Sequence, residues 1–279
     1  MVKLQPIQLL AVLLSIAIIL TSLSQIFLQT PITPYAGNSK TITVASYNIQ
    51  QAYDTEGILD LDMLTKTIGD MKADIIGLQE SLPTRQVSSN IDPLYQLAKN
   101  LGYYIYNGPG PEYQTPGVSI LSKYPIEKVD YILLRTDSLP RTAIHVLLTI
   151  AGEKMDFYSV HLGVFTEEDR LWQIEDLQGF INKTKSSNAP VVVVGDFNDH
   201  PNTTVYNLMI NAGYHDSWVL AGNGINSTSG YTYHAYNQYE RIDYIFVNSK
   251  VNVTNNSFSV IHNQYGSDHL PVKVEMTLL

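Results

Sequence analysis

The chain has 279 residues, 44% of them hydrophobic and 15% charged, enough for one sizeable core and too apolar for intrinsic disorder, and no solenoid-like unit repeats along it. It contains no cysteine, so disulfides, thiolate nucleophiles and sulfur-held zinc are excluded, and any metal must be bound by oxygen or imidazole. With 17 basic against 26 acidic residues the net charge is −9, the wrong sign for gripping an extended polyphosphate through counterion release.

From Leu4 to Ser39 there is no charged residue, and residues 7–28 are apolar apart from Gln and hydroxyl side chains, long enough to cross a bilayer as a helix. Lys3 ahead of the run and Ser22-Leu23-Ser24 within it also match a cleaved signal peptide. The expected division is a short N-terminal segment at 1–6, a transmembrane anchor or signal peptide at 7–28, a linker at 29–40 and one domain over 41–279. Either reading of the apolar run delivers that domain outside the cytoplasm, membrane-tethered or secreted. Sequons at Asn182, Asn202, Asn226, Asn252 and Asn255 agree with such a location, although a sequon is only an acceptor.

From Thr41 the pattern turns to short apolar runs separated by helical stretches. TITVASYNI, DIIGLQE, GVSILSK, TAIHVLLTI, MDFYSVHL, PVVVVGDF and IDYIFV each read as a strand. Continuously apolar runs such as Val191 to Val194 are expected where both faces are covered. Helices are predicted at Leu61 to Met71, Pro93 to Leu101 and Glu167 to Phe180, the last with Leu171, Ile174, Leu177 and Phe180 at helical spacing. An α/β domain of two packed sheets with helices outside accommodates this order.

Several strands end on polar residues that a fold alone does not need. These are Asn48, Glu80, His161, Asp196 with Asn198, and Asp243, followed by Asp268 and His269 in a Gly/Ser turn before the last strand. Singly, each has an ordinary reading: an Asx turn for Asn48 or Asn198, a solvated strand end for Glu80, a hydrogen-bonded core histidine for His161. Together they offer more. Oxygen ligands from Asn48, Glu80 and Asp268 suit a hard cation such as Mg²⁺, with Mn²⁺ an alternative, and histidines beside aspartates suit proton transfer and stabilisation of phosphoryl charge.

In order, SYNI, LQE, VHL, GDFN, RIDYIF and SDHLPV resemble the endonuclease/exonuclease/phosphatase superfamily, the DNase I-like fold, over residues 41–279. Within it, SYNIQQAYDTEG, IIGLQES, ILSKYPIE and SDHLPV look most like the membrane-associated subgroup that includes the C-terminal domain of the GPI-anchor lipid remodeler. The resemblance implies a four-layer α/β sandwich, two packed and mainly antiparallel sheets flanked by helices, and metal-dependent cleavage of phosphoester bonds. It implies Glu80 as the main Mg²⁺ ligand with Asn48 and Asp268 nearby. It also implies Asp196 as the group orienting or deprotonating the nucleophile and Asn198 as a holder of a phosphate oxygen. His161 and His269 then flank the phosphate, Asp243 orients one imidazole, and Arg141 contacts phosphate. Some nuclease members carry Asp two residues after the first-motif Asn; here that residue is Gln50, which leaves a second metal ligand in that motif in doubt.

The expected activity is that of a Mg²⁺-dependent phosphodiesterase acting on a lipid-linked or small phosphodiester. A secreted nuclease is the rival enzyme, weakened by the acidic charge, and an inactive phosphate-binding module is the rival of another class. His145 is expected to be structural, as are His200, His215, His234 and His262 in polar loops, with His200 near enough to GDFND to reach the site. Tyr231, Tyr233, Tyr236 and Tyr239 offer an aromatic rim for substrate or membrane, although alternating aromatics are ordinary in strands.

Overall fold

Along the run Val191 to Val194, alternate side chains enter different cores. Val192 and Val194 pack between two sheets, whereas Val191 and Val193 pack beneath helices. Side chains of a strand alternate across its sheet, so a strand covered on both faces is apolar throughout. The structure, a computed structural model, describes residues 6, 11–12, 14–17, 35, 37–81, 93–109 and 117–279. It divides into two compact units, Met1–Thr33 and Pro34–Leu279. In the first, residues 14–17 are helical and exposed. Much of the expected anchor or signal peptide at 7–28 lies outside the described residues, among which no helix is long and apolar enough to cross a membrane.

In the second unit the strands are β1 (Thr41–Asn48), β2 (Ile75–Ser81), β3 (Tyr104–Asn107), β4 (Gly117–Ser122), β5 (Ile126–Leu134), β6 (Arg141–Ile150), β7 (Glu153–His161), β8 (Val191–Asp196), β9 (His215–Asp216), β10 (Asp243–Val247), β11 (Val251–Val253), β12 (Ser259–Val260) and β13 (Val272–Leu278). The helices are α1 (Leu61–Met71), α2 (Pro93–Leu101), α3 (Glu167–Thr184), α4 (Thr204–Asn211) and α5 (Ser217–Leu220). One sheet is ordered β11-β13-β1-β2-β4-β3 with β12 also on β13, and the other β5-β6-β7-β8-β10-β9. Neighbours are antiparallel except β1 with β2 and β7 with β8, which are parallel.

Three buried clusters define four layers. Ile42, Val44, Ile75, Ile120, Val146, Phe157, Val194 and Val274 lie in the cluster between the sheets. Ile174, Leu177 and Ile181 of α3 and Val205 and Met209 of α4 cover the second sheet, while Leu64 and Ile68 of α1 and Leu94 and Leu97 of α2 cover the first. Full burial of an aliphatic side chain of this size stabilises by about 1.5–3 kcal/mol. The four-layer sandwich of two mainly antiparallel sheets is therefore the one the sequence led us to expect. α3 starts on a Thr166 cap whose Oγ1 accepts the Asp169 N–H at 3.1 Å, and it runs a turn beyond Phe180 to Thr184.

The two parallel pairs position the site. β1 packs on β8 and β2 on β7, with Gly77 so close to the facing sheet that a Cβ there would lie 2.2 Å from Val194 Cγ2. Gly195 is likewise required, since a Cβ would meet the Val160 carbonyl oxygen at 2.0 Å. Close approach of the two sheets brings the carboxyl ends of β1, β2, β7 and β8 to one end of the domain.

Candidate active site

Register sets the first part of the site. Across three adjacent strands, His161 pairs with Asp196 and Asp196 with Asp243, while on the other sheet Asn48 pairs with Gln79. Glu80 follows Gln79 at a register shift between β2 and β4, with a left-handed φ of 50°. Such a bulge turns a side chain out of the ladder, and Glu80 is left half-buried with no hydrogen bond to a described residue. Asn198 and Gln50 also take left-handed φ values, 47° and 43°, where the chain leaves β8 and β1. Backbone held in this sparsely populated region concentrates at functional sites.

Hydrogen bonds then tie the strand ends together. Asn48 Nδ2 donates to Asp196 Oδ2 at 2.9 Å, and the Asn198 N–H donates to Asp196 Oδ1 at 2.9 Å. Asp196 Oδ2 also lies 3.5 Å from His161 Nε2 and 3.6 Å from His269 Nε2. His269 Nδ1 donates to Asp243 Oδ2 at 2.8 Å, an oxygen that also accepts Thr232 Oγ1 at 2.6 Å. Asn198 Nδ2 donates to the Leu162 carbonyl at 3.0 Å and reaches His161 Nε2 at 3.1 Å. The carbonyl settles which end of the amide is nitrogen, so Nε2 accepts and the proton of neutral His161 resides on Nδ1. Nδ1 is buried and has no partner among the described residues, as is also true of Asp243 Oδ1 and Arg141 Nε.

Burial and charge divide the roles of the titratable groups. Burial pushes His161 well below its ordinary value, and the cations of Arg141 and His269 push it the same way, so it is neutral. Burial also opposes charge on His269, but the carboxylates of Asp243 and Asp196 outweigh it and hold the imidazole protonated, its pKa raised to about 10. Asp196 is pushed up to about 7 by burial, with Asp243 adding to the rise, while His269, Asn48 and the Asn198 N–H act against it. Arg141 is lowered by burial and held up by Glu80 and Asp196, which places its cation in the field of both carboxylates. The site thus pairs an imidazolium with a carboxylate that changes protonation near neutral pH.

The residues present fit a hard divalent cation. Glu80 and Asp268 are half-buried carboxylates with no ion pair among the described residues, and the Asn48 amide is held by its Nδ2 on Asp196. Among the described residues its Oδ1 accepts only the Gln50 N–H, at 3.1 Å, which leaves a lone pair for a cation. Asp196, Asp243 and His269 also offer ligand atoms within 4.8 Å of one another. There His269, its pKa raised to about 10 by the two carboxylates, holds a proton.

The structure places Asn48, His161, Asp196, Asn198, Asp243 and His269 in one hydrogen-bonded or ion-paired group, with Arg141 between Glu80 and Asp196 in electrostatic terms. Asp268 adjoins it through His269 and through Gln50, whose Oε1 accepts the Asp268 N–H at 3.0 Å. The residue standing where some nucleases carry Asp is thus a strut between the first and last motifs. Sequence reasoning missed Thr232 and Ser267. Ser267 Oγ donates to the Asn48 carbonyl at 2.7 Å and accepts the His269 N–H at 3.2 Å. Ser267 lies inside the SDH motif and was open to notice; Thr232 carries no local signal. His200 does have a carboxylate neighbour, Glu240 at 3.7 Å, and is exposed. Of the four tyrosines, Tyr236 and Tyr239 are exposed, while half-buried Tyr233 rests its ring 4.9 Å from that of His269.

A family model described as the PGAP2IP C-terminal nuclease-like domain matches residues 39–267. Protein cwh43 of Schizosaccharomyces pombe is 31% identical over 165 residues, 58% of this chain but only 17% of that protein, so this chain corresponds to a small part of that relative. YbhP of Escherichia coli K12 is 24% identical over 231 residues, covering 78% of this chain and 88% of YbhP. Among solved structures, an endonuclease/exonuclease/phosphatase from Beutenbergia cavernae superposes with a TM-score of 0.70 at 19% identity, covering 85% of this chain and 72% of that one. A mannosyl-6-phosphatase of Bacteroides thetaiotaomicron gives 0.68 at 20%, covering 85% and 100%. The human Nocturnin catalytic domain gives 0.66 at 21%, covering 86% and 96%. At these identities the likeness is one of fold, which is that of the endonuclease/exonuclease/phosphatase superfamily.

Proposed function

The chain belongs to the family of PGAP2IP C-terminal nuclease-like domains, and from that premise we propose that it is a divalent-metal-dependent phosphodiesterase, tethered to a membrane on its extracytoplasmic side and acting on a lipid-linked or small phosphodiester. One observation carries the catalytic part. Asp196 is held by two N–H donors and stands 3.5 Å and 3.6 Å from two imidazoles, one neutral and one protonated. A carboxylate raised to about 7 accepts a proton from an attacking water near neutral pH.

His269, kept cationic by Asp243, donates from Nε2 to a phosphoryl oxygen as negative charge develops there. The Nδ1–H of His161, without a partner among the described residues, and the buried Arg141 guanidinium offer further donors to phosphate oxygens. Asn198, fixed on Leu162, keeps His161 in the tautomer described. Glu80, Asn48 and Asp268 are the residues that would hold the metal, which would supply neutralisation of charge on the phosphoryl group. The uncharged stretch from Leu4 to Ser39 supports the tether, and the relation to the GPI-remodeler subgroup supports a lipid-linked substrate.

The test is turnover by the full chain of DNA, a sphingomyelin-like lipid, a phosphatidylinositol-like lipid and a phosphomonoester, with Mg²⁺, with Mn²⁺ and with chelator. Metal-dependent cleavage of a lipid phosphodiester is expected. Preferred cleavage of DNA would replace this reading with a nuclease, and tight binding without turnover would replace it with a phosphate-binding module. The tether is checked by alkaline carbonate extraction, which the chain should resist; a soluble mature chain beginning after Ser24 would mean secretion.

A further inference from the structure

Six large apolar side chains stand exposed on three loops that also carry the site. Ile58 and Leu59, 58% and 52% exposed, follow β1; Val164 and Phe165, 51% and 65%, follow β7; Tyr236 and Tyr239, 56% and 52%, precede β10. The same strands present Asn48, His161 and Asp243. The loops are built rather than loose. Tyr236 stacks on Tyr265 at 4.6 Å, and the Tyr265 carbonyl accepts the Thr55 N–H at 3.2 Å, joining the first and third loops through the one that carries Asp268. Arg170 Nη1 donates to the Gly163 carbonyl at 3.2 Å and steadies the second. Isolated exposed apolar residues are ordinary, but a set drawn from three loops around one mouth marks an interaction surface.

Charge selects the occupant. No Lys or Arg occurs from Ile49 to Asp60, from Leu162 to Asp169, from Phe197 to Glu240 or from Thr254 to Val272, whereas Glu56, Glu167 and Glu168 are exposed near the rim. Arg170 borders the second loop, but its guanidinium is taken up by the Gly163 carbonyl and Asp199, so among the described residues a polyanion or an anionic membrane finds little complement there. Aliphatic, phenyl and tyrosyl groups with a few carboxylates match the interface of a bilayer without net charge, where amphipathic rings settle at headgroup depth. The same chain carries the uncharged apolar stretch from Leu4 to Ser39, which puts a membrane within its reach. We infer that the rim of Ile58, Leu59, Val164, Phe165, Tyr236 and Tyr239 docks the mouth of the site onto a zwitterionic bilayer. The consequence, that a lipid phosphodiester is cleaved without leaving the membrane, rests on the function proposed above; the docking does not.

The orientation is not the one a simple tether suggests. The chain enters the domain at the opposite end, where Lys40 pairs with Glu153 at 2.9 Å.

Because the chain has no cysteine, single-cysteine labelling of the full chain is clean. A polarity-sensitive nitrobenzoxadiazole dye is attached at Phe165→Cys or, as the far-end control, at exposed Lys154→Cys, and each protein is reconstituted in phosphatidylcholine vesicles. The dye at 165 should blue-shift and be quenched by nitroxide on the lipid chains, while the dye at 154 stays in water. Quenching at 154 but not 165, or at neither, overturns the inference, as does a blue shift at 165 that lipid-borne nitroxide does not quench, which would indicate a protein partner. The paired variant Leu59→Asp with Phe165→Asp should raise KM for a phosphodiester lipid in vesicles at least tenfold and leave turnover of a water-soluble phosphodiester unchanged. An equal loss on both substrates overturns the inference. If wild type turns over neither substrate, the phosphodiesterase reading fails and the dye measurement still decides docking.

Discussion

His269 and His145 are both buried histidines set between two aspartates, and only one belongs to the site. His145 Nε2 contacts Asp156 Oδ1 at 2.8 Å and its Nδ1 contacts Asp130 Oδ2 at 3.1 Å, while its ring stacks on Tyr158 at 4.5 Å. Asp156 is in turn occupied by the Ser186 N–H at 2.7 Å. His269 is locked on one side only: Nδ1 is 2.8 Å from Asp243, but Nε2 stops 3.6 Å from Asp196, beyond a normal hydrogen bond. Asp243 Oδ1 and His161 Nδ1 nearby have no partner among the described residues. The same ingredients make a strut where both ring nitrogens are satisfied and a reaction centre where some polar atoms are left for a ligand.

The comparison breaks most readily at Glu80. Glu80→Gln preserves volume and removes the charge proposed to hold the metal, so kcat/KM should fall by several orders of magnitude with the circular dichroism spectrum unchanged. Full activity of this variant in excess chelator would remove the metal from the account.

Next come the members of the open cluster. Asp196→Asn and His269→Ala should each lower kcat by roughly 10² to 10⁴, the range of acid-base groups. Because both serve one transition state, the double variant should be scarcely worse than the poorer single. Wild-type activity should rise with pH as Asp196 loses its proton near 7 and fall as His269 loses its own near 10. Asp196→Asn should erase the acid limb; multiplicative losses or an unchanged profile would separate the two residues.

The closed cluster should respond in stability rather than rate. His145→Gln removes the imidazole contacts to Asp130 and to fully buried Asp156, and a buried polar group left without its partner costs about 1–3 kcal/mol. Denaturant midpoints should drop accordingly while kcat/KM of the folded protein stays within about twofold. A catalytic loss larger than the loss of folded protein would erase the distinction between the two histidines.

The smallest effect is expected at Thr232. Thr232→Val deletes one hydrogen bond to Asp243, about 0.5–1.5 kcal/mol, so kcat should fall by no more than about tenfold. With one donor fewer, Asp243 holds the His269 proton more tightly, and the alkaline limb should move upward. A fixed alkaline limb would show that Thr232 does not act through Asp243.

Much of the fold was legible because local pattern and burial coincide. Strands whose apolar residues enter one or both cores announced themselves, as in β2 and β8. β5 did not, because its early residues Glu127 and Lys128 are exposed at a sheet edge and its register shifts between Ile126 and Lys128. β9 and β12, two residues each, are too short to show a period. Helix α3 outran its apolar pattern because Asn182 and Lys183 face solvent yet continue the helix.

Sequence alone determined which residue types close the strands, that sulfur takes no part, and that the chain resembles a phosphoesterase superfamily through motifs that carry Asn48, Glu80, Asp196 and His269. Only the tertiary structure showed why His269 belongs to the site and His145 does not: His145 has both ring nitrogens on aspartates within hydrogen-bond reach, whereas His269 Nε2 stops short of Asp196. It also showed that Gln50 and Ser267 brace Asp268 and Asn48 across 218 and 219 residues. The reason is physical: secondary structure and side-chain chemistry are written in neighbours along the chain. Whether a buried polar atom is satisfied depends on groups that only sheet register and close packing bring within 3 Å or so of it.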